Sequence, residues 1–228
     1  MLPGKSLIDQ FLGPDAMKKV GELTKDRKSL ATGAAAGGVL ALLLSGGKPK
    51  KLIKNAVKVG GVALVGGLAY KAYQDWQAGR QPQAAGAGEP PPALPQPEGT
   101  VFLPADTGAA EALSLKLVRA MVAAAKADGH VTSAERRKIV AQLPQLGLGA
   151  EAEALITEEL DAPLDVGRIA ALASSPEEAA EIYAASLLVV DPEAPAERGY
   201  LAMLAARLKL DPELVRHLHA NAEALVEL

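Results

Sequence analysis

The chain has 228 residues, with 24 Lys+Arg against 27 Asp+Glu, a net charge of −3, three histidines and no cysteine. That length gives room for one or two domains, and the missing cysteine excludes disulfides, thiol catalysis and Cys-ligated zinc. Residues 1–80 carry 13 basic and 5 acidic side chains, net +8, whereas residues 107–228 carry 11 and 19, net −8, so the acidic half is a poor partner for nucleic acid, whose phosphates require Lys and Arg.

Ala, Leu and Gly dominate, and no stretch alternates β-branched or aromatic residues as a strand would. The predicted fold class is all-α. The asymmetry of charge predicts a basic segment facing an anionic surface and a separate acidic domain. Met1 to Leu12 holds Lys5 and Asp9 and has no long apolar run or small-residue cleavage site, so no secretory signal is predicted and a cytoplasmic-side location is expected.

Residues 5–20 (KSLIDQFLGPDAMKKV) place Leu7, Ile8, Phe11 and Leu12 on one helical face before Gly13-Pro14 interrupts it. This reads equally as a surface helix or as an interfacial anchor beside Lys18, Lys19, Lys25, Arg27 and Lys28. Residues 31–47 (ATGAAAGGVLALLLSGG) carry no charge. As a helix they reach roughly 25 Å, the short limit for a bilayer core of about 30 Å. Gly33, Gly37, Ala41 and Ser45 form a stripe of small residues suited to close helix packing in lipid.

Five lysines follow, at positions 48, 50, 51, 54 and 58. Val59 to Tyr70 is apolar again, with small residues Ala56, Gly60, Ala63 and Gly67 in register. Tyr70, Tyr73 and Trp76 then suit a membrane–water interface. Three readings stand side by side: one membrane span, a shallow hairpin with its lysine loop among anionic headgroups, or a soluble glycine-rich hairpin that self-associates.

Residues 78–106 are a predicted linker. Pro90, Pro91, Pro92, Pro95 and Pro97 favour extended polyproline geometry, and Val101, Phe102 and Leu103 are expected to dock on the C-terminal domain. From Thr107 the pattern is helical throughout. Helices are predicted at about 107–127, 133–146, from Gly149 through Leu160, near 165–173, from Ser175-Pro176-Glu177-Glu178 through Leu188, at about 195–209 and at about 212–227. Ser175 reads as an N-cap with proline at the first helical position. The predicted organisation is a basic region over 1–77, a linker over 78–106 and a bundle of about seven helices over 107–228.

Met121 to Ile139 (MVAAAKADGHVTSAERRKI) is where acidic, basic and imidazole groups crowd a defined turn. The Ala127-Asp128-Gly129 turn and Glu135 are echoed by Asp191-Pro192-Glu193-Ala194-Pro195-Ala196-Glu197. If the two helix pairs meet, Asp128, Glu135, Asp191 and Glu197 form a four-carboxylate site for a hard divalent cation, Ca²⁺ or Mg²⁺. Turn and cap chemistry accounts for the same residues. Gly129 suits a left-handed C-cap, Thr132 to Glu135 spells a capping box, and Asp191 before Pro192 is a common turn. The loop is not an EF-hand, because Ile139 stands where a bidentate Glu belongs.

AKADGHVTSAER, together with DPEAPAE and LAARLKLDPELV, resembles the TerB-like domain of tellurite-resistance-associated proteins. KSLIDQFLG, the run ending LLLSGGKPKK, and VGGVALVGGLAYKAYQDWQ resemble the bacterial inner-membrane family typified by YebE. The resemblance implies an inner-membrane protein with a seven-helix TerB-like domain. It also implies acidic residues associated with metal binding at Asp128 and Glu135, with Asp191 and Glu197 a looser match because Pro192 and Pro195 alter the loop. It carries no enzymatic activity.

His130 is a further candidate ligand, although a solvent-facing turn residue explains it. His217 and His219, two apart on a helix, point to different faces. Arg136, Arg137 and Lys138 read as a solvated face. Ser133 has no base or oxyanion partner in the pattern, and no phosphate-binding glycine motif follows a strand. The expected protein is a non-enzymatic, membrane-associated helical module. Its acidic domain binds a divalent cation or a protein partner, in envelope or metal stress. The alternative is a soluble scaffold that self-associates through its glycine stripes.

Overall fold

Ser175, Asp106 and Asp165 each begin a helix, as side-chain oxygens placed to accept a first-turn N–H should. In the computed structural model, which describes residues 61–82, 97–129, 131–143 and 150–226, they accept from Glu178 N at 3.2 Å, Ala109 N at 2.8 Å and Arg168 N at 3.1 Å. The expectations for residues 5–20, 31–47, the lysines at 48–58 and His130 lie outside the described residues.

The described residues form eight helices and no strand. They are α1 Gly61–Gln77, α2 Thr107–Ala125, α3 Ser133–Gln142, α4 Ala150–Asp161, α5 Val166–Ala170, α6 Pro176–Leu187, α7 Pro195–Leu208 and α8 Pro212–Val226. Proline opens α6 and α7, where its missing N–H costs nothing. Lys209 ends α7 in the left-handed region at φ 56°, and Gly129 takes φ 71° in the turn after α2, as the Asp-Gly pair predicts.

The core forms around α2 and α6, which pack on each other. On α2 the face of Leu113, Leu117, Ala120, Met121 and Ala124 is buried, as its spacing requires. Helix α6 is buried nearly all round, from Ala179 to Leu187. Around this pair, α4 packs on α2, α7 on α5 and α6, and α3 on α4.

Helix α1 joins the same core. It packs against α6 and α8, with Leu64, Val65, Leu68, Ala69 and Ala72 buried. The sequence pattern places this apolar stretch in the basic membrane-associated region, whereas in the fold it is a core helix. Burial in protein and burial in lipid ask for the same apolar, small-residue surface, so the pattern alone does not separate them. Among the described residues no helix is long and apolar enough to cross a membrane.

Two contacts hold the described residues on either side of the proline-rich stretch. The His217 Nε2–H of α8 donates to the Arg80 carbonyl at 3.0 Å, fixing the chain just past α1. On the far side, Phe102 is 3% exposed and sets its ring edge-on to Tyr70 and Tyr73, with centroids 5.5 and 5.6 Å apart. Phe102 was expected to dock on the C-terminal domain; its ring contacts are with the helix before the linker, inside the one buried core cluster that the helix and the bundle share. Val101 stays exposed.

Candidate functional site

The acidic turns were the predicted site. Asp128 lies exposed between α2 and α3. Its turn is closed by Gly129 N–H donating to the Lys126 carbonyl at 2.9 Å. Thr132 opens α3, accepting Arg136 N–H on its carbonyl at 2.9 Å. Glu135 follows in the first turn of α3, and its side chain lies outside the described set.

In the second turn the structure brings Asp191 and Glu197 together. Glu197 Oε2 accepts the Asp191 N–H, and Asp191 Oδ1 accepts the Glu193 N–H at 3.2 Å. Glu197 is the third residue of α7, so this carboxylate is also engaged in holding the start of the helix, much as in a capping box. Among the described residues no group of three or more His, Asp or Glu side chains is gathered as a metal site.

Two buried carboxyls lie elsewhere, and pattern reading missed both. Glu159 of α4 is 1% exposed. Its Oε1 accepts from Arg168 Nη2 at 2.6 Å, and Arg119 Nε lies 3.5 Å from Oε2. This carboxylate ties α2, α4 and α5 at one point. Beside it, Lys126 donates its ammonium to the Glu159 carbonyl at 2.7 Å and to the Ala162 carbonyl, closing the C-terminus of α4. Burial pushes the Lys126 ammonium below its ordinary value, against the opposing pull of Glu159. The turn singled out in the sequence thus contributes a lysine that staples helices.

Glu181 of α6 is fully buried, and neither oxygen has a hydrogen-bond partner. Burial, with Glu178 and Glu177 nearby, pushes its carboxyl up to about 9, opposed by Lys116. It is therefore a neutral carboxylic acid at pH 7. A Cβ placed on Gly66 of α1 would stand 3.5 Å from Glu181 Oε1 and 2.5 Å from the Phe102 carbonyl oxygen. The signal was present in the sequence: Glu181 is the lone charge in the run Ala179–Val190, and a helix apolar all round is a buried helix.

The three histidines divide by contact. His217 is buried on the Arg80 carbonyl, and His219 Nε2 pairs with the Tyr183 hydroxyl at 2.8 Å. Burial holds His219 below its ordinary value and pushes Tyr183 up to about 12. Both groups are then neutral near pH 7, and they share one hydrogen bond between the hydroxyl and Nε2. The two rings serve different contacts, as their spacing predicted, and His130 lies outside the described residues.

The chain is similar to the "Uncharacterized protein in ampR 5'region" of Yersinia enterocolitica, with 39% identity over 101 residues, covering 44% of this chain and 72% of that protein. No solved structure matches the chain significantly. The model of the family described as "Protein of unknown function (DUF533)", TerB-like in general, matches residues 29–222, which take in α1 through most of α8, and the chain belongs to that family.

Proposed function

We propose that this chain is a non-catalytic helical module held at the surface of the inner membrane, of the kind its resemblance to the YebE-type family implies. The lysine-rich segment before α1 meets anionic lipid headgroups, and the acidic bundle remains available to a protein partner. The observation that supports this reading is the position of α1. Its described part starts at Gly61, three residues after Lys58, and is anchored in the core. Lys48, Lys50, Lys51, Lys54 and Lys58 are thereby joined to the folded body by a buried helix. Each lysine near an anionic surface contributes about 1 kcal/mol, and that attraction falls with salt. The net −8 of residues 107–228 turns the bundle away from the same surface.

Co-sedimentation of the full chain with phosphatidylglycerol–phosphatidylcholine vesicles tests this. Binding is expected at low salt, lost with pure phosphatidylcholine and strongly weakened when the five lysines become glutamine. Absence of binding to the anionic vesicles at low salt would overturn the reading.

A second reading, self-association of a soluble scaffold, draws on Met203, which stands 55% exposed on α7 beside exposed Gly199, Ala202 and Ala206. Light scattering without lipid separates the two. A concentration-dependent rise in mass that Met203→Glu abolishes supports the scaffold, and a constant monomer mass sinks it.

Divalent-cation binding at Asp128, Glu135, Asp191 and Glu197, with Ca²⁺ or Mg²⁺ as the ion, is a further proposal. The Glu197 oxygen that accepts the Asp191 N–H would have to exchange that donor for the cation. Calorimetric titration of the full chain, with Asp128→Asn as the control, decides it: no Asp128-dependent heat removes the site.

A further inference from the structure

We propose that α1, with the 97–103 turn strapped across it, is a releasable cover over Glu181, closing with uptake of one proton and opening as pH rises. This goes beyond the membrane-surface reading and is independent of it.

The geometry is a three-way contact. Gly66 of α1, the Phe102 carbonyl of the strap and the Glu181 carboxyl of α6 meet where an added Cβ would stand 2.5 Å from the carbonyl oxygen and 3.5 Å from Oε1. Neither Glu181 oxygen finds a hydrogen-bond donor there. A neutral acid tolerates such a place, whereas an anion without a donor does not. The surrounding charges do not rescue the anion. Glu177 and Glu178 flank it on α6 and repel it. Lys116 of α2 is held by Glu178 at 2.8 Å. On α1, Tyr73 is hydrogen-bonded to Glu177, and Lys71 is held by Asp75 at 2.6 Å. On α8, His217 is engaged by the Arg80 carbonyl and His219 by Tyr183. The strap contributes the exposed Glu98, a further acid.

The way out is on the α1 side. Lys116 bonds both Glu178 and Ser174 Oγ, pinning the start of α6 to α2. Lifting α1 and its strap instead admits water to Glu181 without breaking that pair. Once open, the carboxyl returns to its ordinary range near 4.5, against about 9 when covered. Between those values only the open state gives up the proton, so the opening constant rises by about tenfold per pH unit.

Amide hydrogen exchange on the full chain from pH 5.5 to 8.5, corrected for intrinsic base catalysis, reads this directly. Peptides of α1 should show an opening constant that climbs by about tenfold per pH unit, while peptides of α2 stay protected. Trp76, the single tryptophan, half-buried on α1, should be quenched more strongly in parallel as pH rises. In Glu181→Gln the slope of α1 should vanish, and Glu181→Leu is the second variant should the amide fail to fold. A flat α1 profile in the wild-type chain would overturn the proposal. So would an equal slope in α1 and α2, or a slope that survives both substitutions.

Discussion

The Phe102 carbonyl oxygen occupies the space that a Cβ on Gly66 would need, 2.5 Å from it. Position 66 is therefore glycine for reasons of packing, although alanine is the better helix former by about 1 kcal/mol. Gly66→Ala should destabilise the chain by about 1–3 kcal/mol, the usual cost of overpacking. Urea unfolding measures it, and a neutral or stabilising result would show that the strap yields easily.

Glu159 supplies a second stability test. Arg168→Met leaves a buried carboxylate with only the longer Arg119 contact at 3.5 Å, and should cost on the order of 3 kcal/mol. Adding Glu159→Leu should recover much of that loss, because the orphaned charge goes with it. If the double variant is as unstable as the sum of the two single variants, the pair is not acting as a unit.

His219 sets a pH dependence. Burial depresses its folded value below the ordinary 6.5, with Glu223 opposing. Below 6.5 the unfolded chain binds more protons than the folded one, so stability falls as pH drops through that range and is fully present above it. Glu181 works in the opposite sense, since its folded value is raised. His219→Gln should therefore flatten only the acid-side loss, seen as a wild-type-minus-variant difference in urea unfolding that shrinks from pH 7 to pH 5. A constant difference would exclude titration of His219.

The Ser175 cap is the plainest local prediction. Its Oγ accepts Glu178 N–H at 3.2 Å, while Glu178 Oε2 accepts Ser174 N–H at 2.7 Å. Ser175→Ala should cost about 1 kcal/mol, and Ser175→Asp should be close to neutral, both by thermal unfolding. Equal losses in the two variants would place the cause elsewhere.

Local chemistry was legible in the sequence and tertiary choice was not. Ser175-Pro176 marked the start of α6 because a cap involves only neighbours. The apolar periods of 107–228 marked out the remaining helices because each needs one buried face. The limits of α1 were harder. Leu64, Val65 and Leu68 want an apolar neighbour, and nothing in their spacing says whether lipid or α6 and α8 provides it. Ala63 and Gly67 there were read as a place where another helix backbone comes close, whereas the close approach falls at Gly66, outside that stripe, and is made by the Phe102 carbonyl. At the predicted site, Asp191 and Glu197 did meet, but as donor and acceptor in one turn. Glu159 went unnoticed because a carboxylate reads as surface until its neighbours are placed, whereas Glu181 stood as the lone charge of a legible apolar run and was passed over.

Pro82 and Pro97 both belong to residues described on the same folded body, the first just beyond the Arg80 anchor and the second leading into the strap. Residues 83–96 therefore connect two points that the fold holds in place. Closing a connection of that kind becomes harder only logarithmically with its length, by about 0.6 kcal/mol for each doubling. The length between these two prolines is thus a nearly neutral variable, open to insertion or to a grafted tag or domain, while the two anchors set the register in which α1 meets its partners.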